Sequence, residues 1–523
     1  VHKGFRKSIL LLVISVVGLT AMSGLVASAQ APTTFVLADQ MEPAHLDPGT
    51  RLYAYEVRVF KCVYEPLIGH KPGTQYELEP MLATSWEQSE DGLTYTFYLR
   101  QGVTFHDGSS FDAYDVKATF DRVLELNAQP RTKIASLESV EVVDDYTVNL
   151  TLSTKDIYFT QGLPHIYIIS EDAIAEQEVD GDLAQTWLQE HEMGTGPYML
   201  ESWVRDDGIK LTKFDAHWNA SEKANFENVF FRVVPDTTTQ RLLLEQGDVH
   251  AIARPFAGDV PAYEANDDLK VLKDQLTANY MISLNTQKEP TSNLLVRQAL
   301  VAAWPYQETI DVVFPGIMQR AIGPLAAAMP NAYTIEPPRE TDLDYAKDLL
   351  EQAGYGDGLT LQMYVVDLAE QRRVGELFPY NLEEIGVTLE VTHLGWARMV
   401  EVMSNLDTAP NVSVLHASAD MAAEAQVLRD YLGTGQPYNW AFYSNQEVDR
   451  LVAEARLQDT FDETGPFITQ LQEIAVADAV YIYAGSQTRV VIMRKEICGY
   501  LPEPNGIERG VNINDLYWCS EGG

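Results

Sequence analysis

Cysteine is scarce: the 523 residues hold three, Cys62, Cys498 and Cys519. No pair has the CxxC spacing, and the intervals fit no structural zinc site. No metal site is expected, and a cysteine-rich redox or zinc scaffold is excluded. Positive charge is scarce too. Lys and Arg number 37 against 76 Asp and Glu, a formal net charge of −39. So anionic a chain should repel nucleic acid and anionic membrane surfaces. The spacings of the common hydrolases are missing as well. There is no G-x-S-x-G, no HExxH and no S-x-x-K with its partners. His191-Glu192 lacks a second histidine at the needed distance. Carboxylates are so plentiful that a catalytic pair cannot be singled out. The chain reads as a non-enzyme with no cofactor. No repeat or low-complexity tract is visible, and past the N-terminus no apolar run has the length of a membrane helix.

What is present is material for large cores: 46% hydrophobic and 10% aromatic residues, enough for two to four domains. Residues 1–29 read as a secretion leader. Lys3, Arg6 and Lys7 form its basic end, Ile9 to Leu19 its short apolar core, and Ala27-Ser28-Ala29 its small-residue cleavage site. Cleavage after Ala29 is expected, with Gln30 the first mature residue; N-terminal sequencing of secreted protein checks it. No cysteine lies near the cut, so release into the periplasm is expected and lipid anchoring is not. In that oxidising compartment a Cys498–Cys519 disulfide clipping the tail is expected, with Cys62 a buried free thiol.

The most informative stretch is Ser85 to Leu124. Asp91-Gly92 is a turn pair. Thr94 to Arg100 alternates, with Tyr95, Phe97 and Leu99 on one face, as a half-buried strand does. Val103 to Phe105 reads as a second short strand. A helix then starts with Asp112 as N-cap, Asp115 closing a capping box and Phe111 stapling onto Val116. Val116, Phe120, Val123 and Leu124 form its buried stripe.

Elsewhere, Thr34 to Ala38 reads as a strand, Leu46-Asp47-Pro48-Gly49 as a turn, and Tyr53 to Tyr64 as a helix. Ser139 to Val143 and Thr147 to Leu152 form a hairpin. Gly194-Thr195-Gly196-Pro197-Tyr198 is followed by a strand and lacks the Lys-Ser/Thr of a phosphate loop. Thr237 to Gln246 is a helix closed by Gly247. Thr360 to Val366, a helix within Glu370 to Ile385, and Val387 to Val391 form a βαβ unit with parallel pairing. Pro379 should bend or split that helix. Gln470 to Tyr481 reads as the last helix and Ile482 to Val491 as a final strand.

The wording of these segments closely resembles the family 5 extracellular solute-binding proteins, the oligopeptide-, dipeptide- and nickel-type receptors of ABC importers. The resemblance rests on W-E-x-S-x-D-G-L-T-Y-T-F-x-L-R, G-V-x-F-H-D-G and F-x-A-x-D-V-x-x-T-F-x-R within residues 86–122. It also rests on the LDP turn, on Y-E-x-L at Tyr64 to Leu67, and on G-T-G-P-Y-x-L at Gly194 to Leu200. It spans most of the chain. It implies an α/β fold, the two-lobe periplasmic binding protein fold of the large three-domain class, with the ligand cleft between the lobes. Lobe one would take residues 30–75, 194–287 and 486–523, with 76–193 an inserted subdomain; lobe two would take 288–485. The implied role is capture of a short peptide by a monomeric receptor that serves permease subunits in the inner membrane. A non-peptide solute (an oligosaccharide, an opine-like compound or a metal complex) and a secreted sensor or chaperone-like receptor are the alternatives.

The resemblance also suggests site residues. An aspartate in lobe two pairs with the peptide α-ammonium in the peptide-binding branch, and Asp420 occupies the matching place. The Tyr and Asp-Pro that should follow are absent, and a plain capping role for a helix Met421 to Leu432 is the alternative. His416 is the one candidate for a metal-complex reading. Tyr53, Tyr280, Trp396 and Trp440 are candidate aromatic walls.

Overall fold

The structure, a computed structural model, describes residues 33–52, 54–71, 74, 77–418, 423–502 and 511–519. The expected leader and cleavage site lie outside the described residues.

The fold is organised by one 11-stranded mixed sheet. Its central path runs Val387–Leu394, Leu359–Val366, Val412–Ser418, Leu269–Leu284, Tyr481–Arg494, Ala251–Ile252, Thr34–Asp39, Asn228–Val233, Gly208–Lys213, Tyr198–Val204. Two long strands make the sheet continuous. Leu269–Leu284 crosses from one half to the other, and Tyr481–Arg494 returns antiparallel to it. Their register breaks between Gln275 and Asn279 and again between Tyr280 and Met281. On one side of these breaks lies a half, termed lobe one, with a core of Phe35, Phe60, Val63, Tyr198, Val229 and Val491. On the other lies lobe two, with cores centred on Ile282, Leu300, Trp304, Leu361 and Phe378, and on Met399, Leu428, Leu451 and Leu471. A separate four-stranded sheet with the helix Ala113–Leu126 closes a further core around Phe97, Phe105, Phe111, Val116 and Phe120.

The central stretch folds largely as its sequence predicts. Thr94–Leu99 is a strand whose Tyr95, Phe97 and Leu99 are buried. The Asp112/Asp115 capping box is present: the Asp112 carboxylate accepts from Tyr114 N at 2.8 Å, and Asp115 accepts from Asp112 N at 2.9 Å. Val103 to Phe105 is not a strand. Only a single bridge, Thr104 to Ser110, forms there, and Val103 and Phe105 are buried in the core from a loop. Pro379 lies inside the helix Ala369–Glu384 and does not split it. The last helix starts earlier than expected, at Phe461, with a Thr460/Glu463 capping box, and it ends at Ala477.

The segments that carry the family resemblance hold the first lobe and its subdomain together. Arg122, the last residue of the signature, makes a fork-to-fork pair with Asp47 of the LDP turn, Nη1 to Oδ1 2.8 Å and Nη2 to Oδ2 2.7 Å, both side chains being buried. Glu65 is a buried acceptor for Thr195 Oγ1 at 2.8 Å and Trp218 Nε1 at 3.0 Å, and it faces His217 Nε2 at 3.1 Å. The Gly194-Thr195-Gly196 run is glycine-rich because it lies on the end of the helix Ala54–Val63. A Cβ on Gly194 would stand 1.9 Å from the Val63 carbonyl oxygen, and one on Gly196 would stand 2.4 Å from that of Cys62. Close packing, not phosphate binding, explains the run.

His106 of the H-D-G motif faces an acceptor at each ring nitrogen: Glu192 Oε2 at 2.7 Å from Nδ1 and the Gly196 carbonyl at 2.9 Å from Nε2. Both nitrogens therefore donate, which requires the imidazolium. Burial opposes that charge, but the Glu192 carboxylate and the two hydrogen bonds prevail and raise the pKa above the ordinary 6.5. The folded state binds this proton more tightly than the unfolded chain does. The stabilisation is complete below the ordinary histidine pKa and is lost as pH rises through the raised one. Melting temperatures measured across this range should fall with rising pH, and His106→Gln should flatten that part of the profile. An unchanged slope in the variant would contradict the assignment.

Cys498 and Cys519 are joined, across a sequence separation of 21, and they pin the terminal strand Tyr517–Trp518 to Ile497–Cys498. Cys62 is free and buried, and burial pushes its thiol pKa up to about 12, so it is unreactive. Reduction of the disulfide should lower stability by about 2–4 kcal/mol. Comparison of urea unfolding with and without reductant checks this, and non-reducing peptide mapping that finds Cys62 in a linkage would contradict it.

Candidate functional site

Two sets of strand ends face each other across the crossing strands. In lobe one the parallel strands Thr34–Asp39, Asn228–Val233 and Ala251–Ile252 run with their C-terminal ends toward the break in register. In lobe two the parallel strands Leu359–Val366, Val387–Leu394 and Val412–Ser418 do the same, with Ser418 opposite Ala278. Ligands of open α/β sheets bind outside such C-terminal ends. Here two such rims share one hinge region, which defines a cleft.

The lobe-one rim is built from Asp39, Gln40, Tyr55, Arg58, Arg254 and Arg489. Arg58, on the helix Ala54–Val63, pairs with Asp39 at the end of the first strand, both buried. The Arg58 and Arg254 guanidinium carbons lie 5.4 Å and 5.1 Å from the Tyr55 ring centroid. Gln40 Nε2 donates to the Arg254 carbonyl at 3.4 Å. Arg489 Nη2 pairs with Asp274 of the neighbouring crossover strand at 3.1 Å, and Tyr500 Oη donates to the same carboxylate. Burial first, then the charges of Arg254 and Arg489, pushes the Arg58 guanidinium below its ordinary range. None of these arginines was singled out from the sequence.

The lobe-two rim begins where its strands end. Asp367 pairs with Arg372 at 2.5 Å. Trp396 opens the helix Trp396–Met403 just after its strand, half exposed, and its ring lies 6.1 Å from that of the buried Trp440. The two tryptophans line a cavity of about 520 Å³ together with Met403, Leu406, Tyr438 and Phe442. The fold thus brings the two rings together at one cavity.

The other expected site residues fare differently. Tyr280 is fully buried in lobe two, edge-on to Phe314 at 4.9 Å, and belongs to the core rather than to a cleft wall. The crossover strand there is covered on both faces, so its alternation does not point a side chain into the cleft. The His416 backbone pairs with Tyr280 in the sheet; its side chain lies outside the described residues, as do Tyr53 and Asp420. The helix after Asp420 starts at Glu424, with Ala423 at the N-cap, so the helix-cap position predicted for Asp420 belongs to another residue. Among the described residues no group of three or more His, Cys, Asp or Glu could hold a metal ion, and no helix is long and apolar enough to cross a membrane.

The lobes also touch away from the hinge. Asp156, just after the hairpin of the subdomain, pairs with Arg456 of lobe two, and Ile157 N donates to the Arg456 carbonyl at 3.0 Å. The Tyr158 ring packs 5.6 Å from that of Phe461. On the cleft rim, the Arg373 guanidinium of lobe two lies 5.9 Å from the Phe256 ring of lobe one. These contacts join lobe two to lobe one and its subdomain outside the crossing strands.

Residues 77–439 match the family described as bacterial extracellular solute-binding proteins, family 5 middle. The glutathione-binding protein GsiB of Pectobacterium atrosepticum is 30% identical over 478 residues, 88% of this chain and 90% of that protein. Heme-binding protein A of Haemophilus influenzae is 27% identical, over 93% of this chain and 94% of that protein. Among solved structures, the periplasmic binding protein DppA of Helicobacter pylori in complex with the peptide STSA superimposes with a TM-score of 0.81 at 26% identity, covering 93% of this chain and 98% of that one.

Proposed function

Because this chain belongs to the family 5 bacterial extracellular solute-binding proteins, and is therefore a binding receptor and not an enzyme, we propose that it captures short peptides between its lobes and delivers them to an ABC importer. In this reading it acts in the periplasm as a monomer, after loss of residues 1–29. The moving bodies are lobe one with its subdomain 76–193 and lobe two, residues 288–485. Ligand bridging the two rims shifts the population toward the closed form, whose shape the permease subunits in the inner membrane recognise. No chemistry on the ligand is needed.

The observation that carries the peptide reading is the likeness, across nearly the whole chain, to a binding protein solved with a peptide bound. The facing strand ends and the tryptophan-lined lobe-two wall support it. A second reading, a non-peptide solute, is favoured by the missing Tyr and Asp-Pro after Asp420. Native mass spectrometry of the protein purified from secreted material decides between them. A copurifying adduct that fragments as a peptide is expected; an adduct with no amino-acid fragments would overturn the peptide reading.

A further inference from the structure

Lobe one gathers three arginines at the cleft from distant parts of a chain whose net charge is −39. Arg58 comes from the first helix, Arg254 from the loop after Ala251–Ile252, and Arg489 from the return strand. Like charges so placed repel one another, and the cluster persists only with anions to balance it. Two are built in: Asp39 for Arg58 and Asp274 for Arg489. Arg254 has no carboxylate within ion-pair distance among the described residues. Its guanidinium lies against the Tyr55 ring, with Nη1 3.5 Å from the Tyr55 hydroxyl, and it is half-buried, open enough to meet a solute. Arg58 Nε is buried and has no hydrogen-bond partner among the described residues. From the opposite rim Arg373 reaches over Phe256 of lobe one, adding a fourth cation near the same mouth. Two built-in carboxylates thus face four guanidinium groups, and the cluster is short of anions.

We propose that the Arg254 side of this cluster is an anion subsite of the cleft that takes a ligand carboxylate, so that the receptor selects anionic peptides. The inference rests on the peptide reading for the kind of ligand, but the carboxylate requirement can be tested apart from it. The carboxylate has two possible sources, an acidic side chain or the peptide C-terminus. A planar, forked guanidinium suits either, and Tyr55 holds the Arg254 fork in place beneath it. Arg254 is the residue to vary, since Arg58 and Arg489 are tied to buried partners of the fold.

Calorimetric titration with a Glu-containing tripeptide, its Gln counterpart and its C-terminal amide separates the sources. At least one neutralisation is expected to weaken binding by about tenfold or more, the scale of one charge-assisted hydrogen bond. In Arg254→Gln that difference should vanish, and Arg254→Lys should restore part of it, with melting temperatures near wild type. Equal affinities for all three peptides in the wild type, or the same discrimination in Arg254→Gln, would overturn the subsite. If no peptide binds, the peptide reading falls and glutarate judges the subsite alone. A glutarate-induced rise in melting temperature that is absent in Arg254→Gln supports it; no rise in the wild type, or an equal rise in both, overturns it.

Discussion

Replacing Asp420 by asparagine is expected to weaken peptide binding by about a hundredfold or more while leaving stability nearly unchanged. The binding effect follows from the role its position implies: an anionic partner for the peptide α-ammonium inside a closed, partly dry cleft. Removing one partner of such a pair leaves the other charge buried and alone, at a cost of about 3–5 kcal/mol. The stability half of the expectation comes from the observed neighbourhood. The strand Val412–Ser418 leads toward the residue, and the following helix begins at Glu424 with Ala423 at its N-cap. A side chain three positions before that cap is not the cap residue. Asp420→Ala should therefore lack the ~1 kcal/mol stability loss of a removed cap. Calorimetric titration and thermal melts of wild type and both variants test this. Unaltered affinity in Asp420→Asn would eliminate the charge pairing, and a clear fall in melting temperature in Asp420→Ala would restore a structural role.

Asp47→Ala should cost about 3–5 kcal/mol of stability, because it leaves the Arg122 guanidinium buried without its carboxylate. Both side chains are 2% exposed, and the fork-to-fork geometry gives each charge two direct partners. Arg122 Nε also donates to the Leu183 carbonyl at 2.7 Å, and Asp47 Oδ1 accepts from Gly49 N at 2.9 Å. The pair ties the LDP turn of lobe one to the helix Ala113–Leu126 of the subdomain. Its loss should loosen the joint between these bodies rather than any strand. The double variant Asp47→Leu with Arg122→Met removes both charges and should lose less than Asp47→Ala alone. Urea unfolding of the three proteins measures the coupling. A loss below about 1 kcal/mol in Asp47→Ala would mean that the pair is not energetically buried.

What could be read from the sequence was what local spacing encodes. The Asp112/Asp115 capping box, the hairpin Leu137–Asp144 with Thr147–Leu152 and the helix Thr237–Gln246 depend on residues a few positions apart, and the parallel pair Leu359–Val366 with Val387–Leu394 follows from the strand-helix-strand order of one continuous segment. The disulfide and the buried Cys62 were legible because only three cysteines exist to be placed. The early start of the last helix has a local cause. The Thr460/Glu463 capping box starts the helix at Phe461, and the helix holds Pro466 in its interior.

The site was less legible, for reasons of topology. Arg58, Arg254 and Arg489 share no window of sequence, and only the closing of the sheet brings their strands and helix side by side. The one available signal was the rarity of arginine and lysine in so acidic a chain, which says nothing of where they meet. Tyr280 was chosen because the resemblance puts its segment at the border between the lobes, but a strand's place at a border does not say which of its side chains is open to the cleft. In the crossover strand Tyr280, Met281 and Ile282 are all buried, since the strand sits mid-sheet between packed layers. Trp396 and Trp440 were chosen because aromatic side chains offer a solute broad apolar contact, and the fold sets their rings 6.1 Å apart, one half exposed and one buried.

The claim that joins these parts is closure on ligand about the break between Gln275 and Asn279. Small-angle X-ray scattering of the mature protein, stripped of ligand by unfolding and refolding and then saturated with peptide, tests it most directly. The radius of gyration should fall on peptide addition as the two rims come together. An unchanged radius of gyration in a sample that calorimetry shows to be saturated would contradict it.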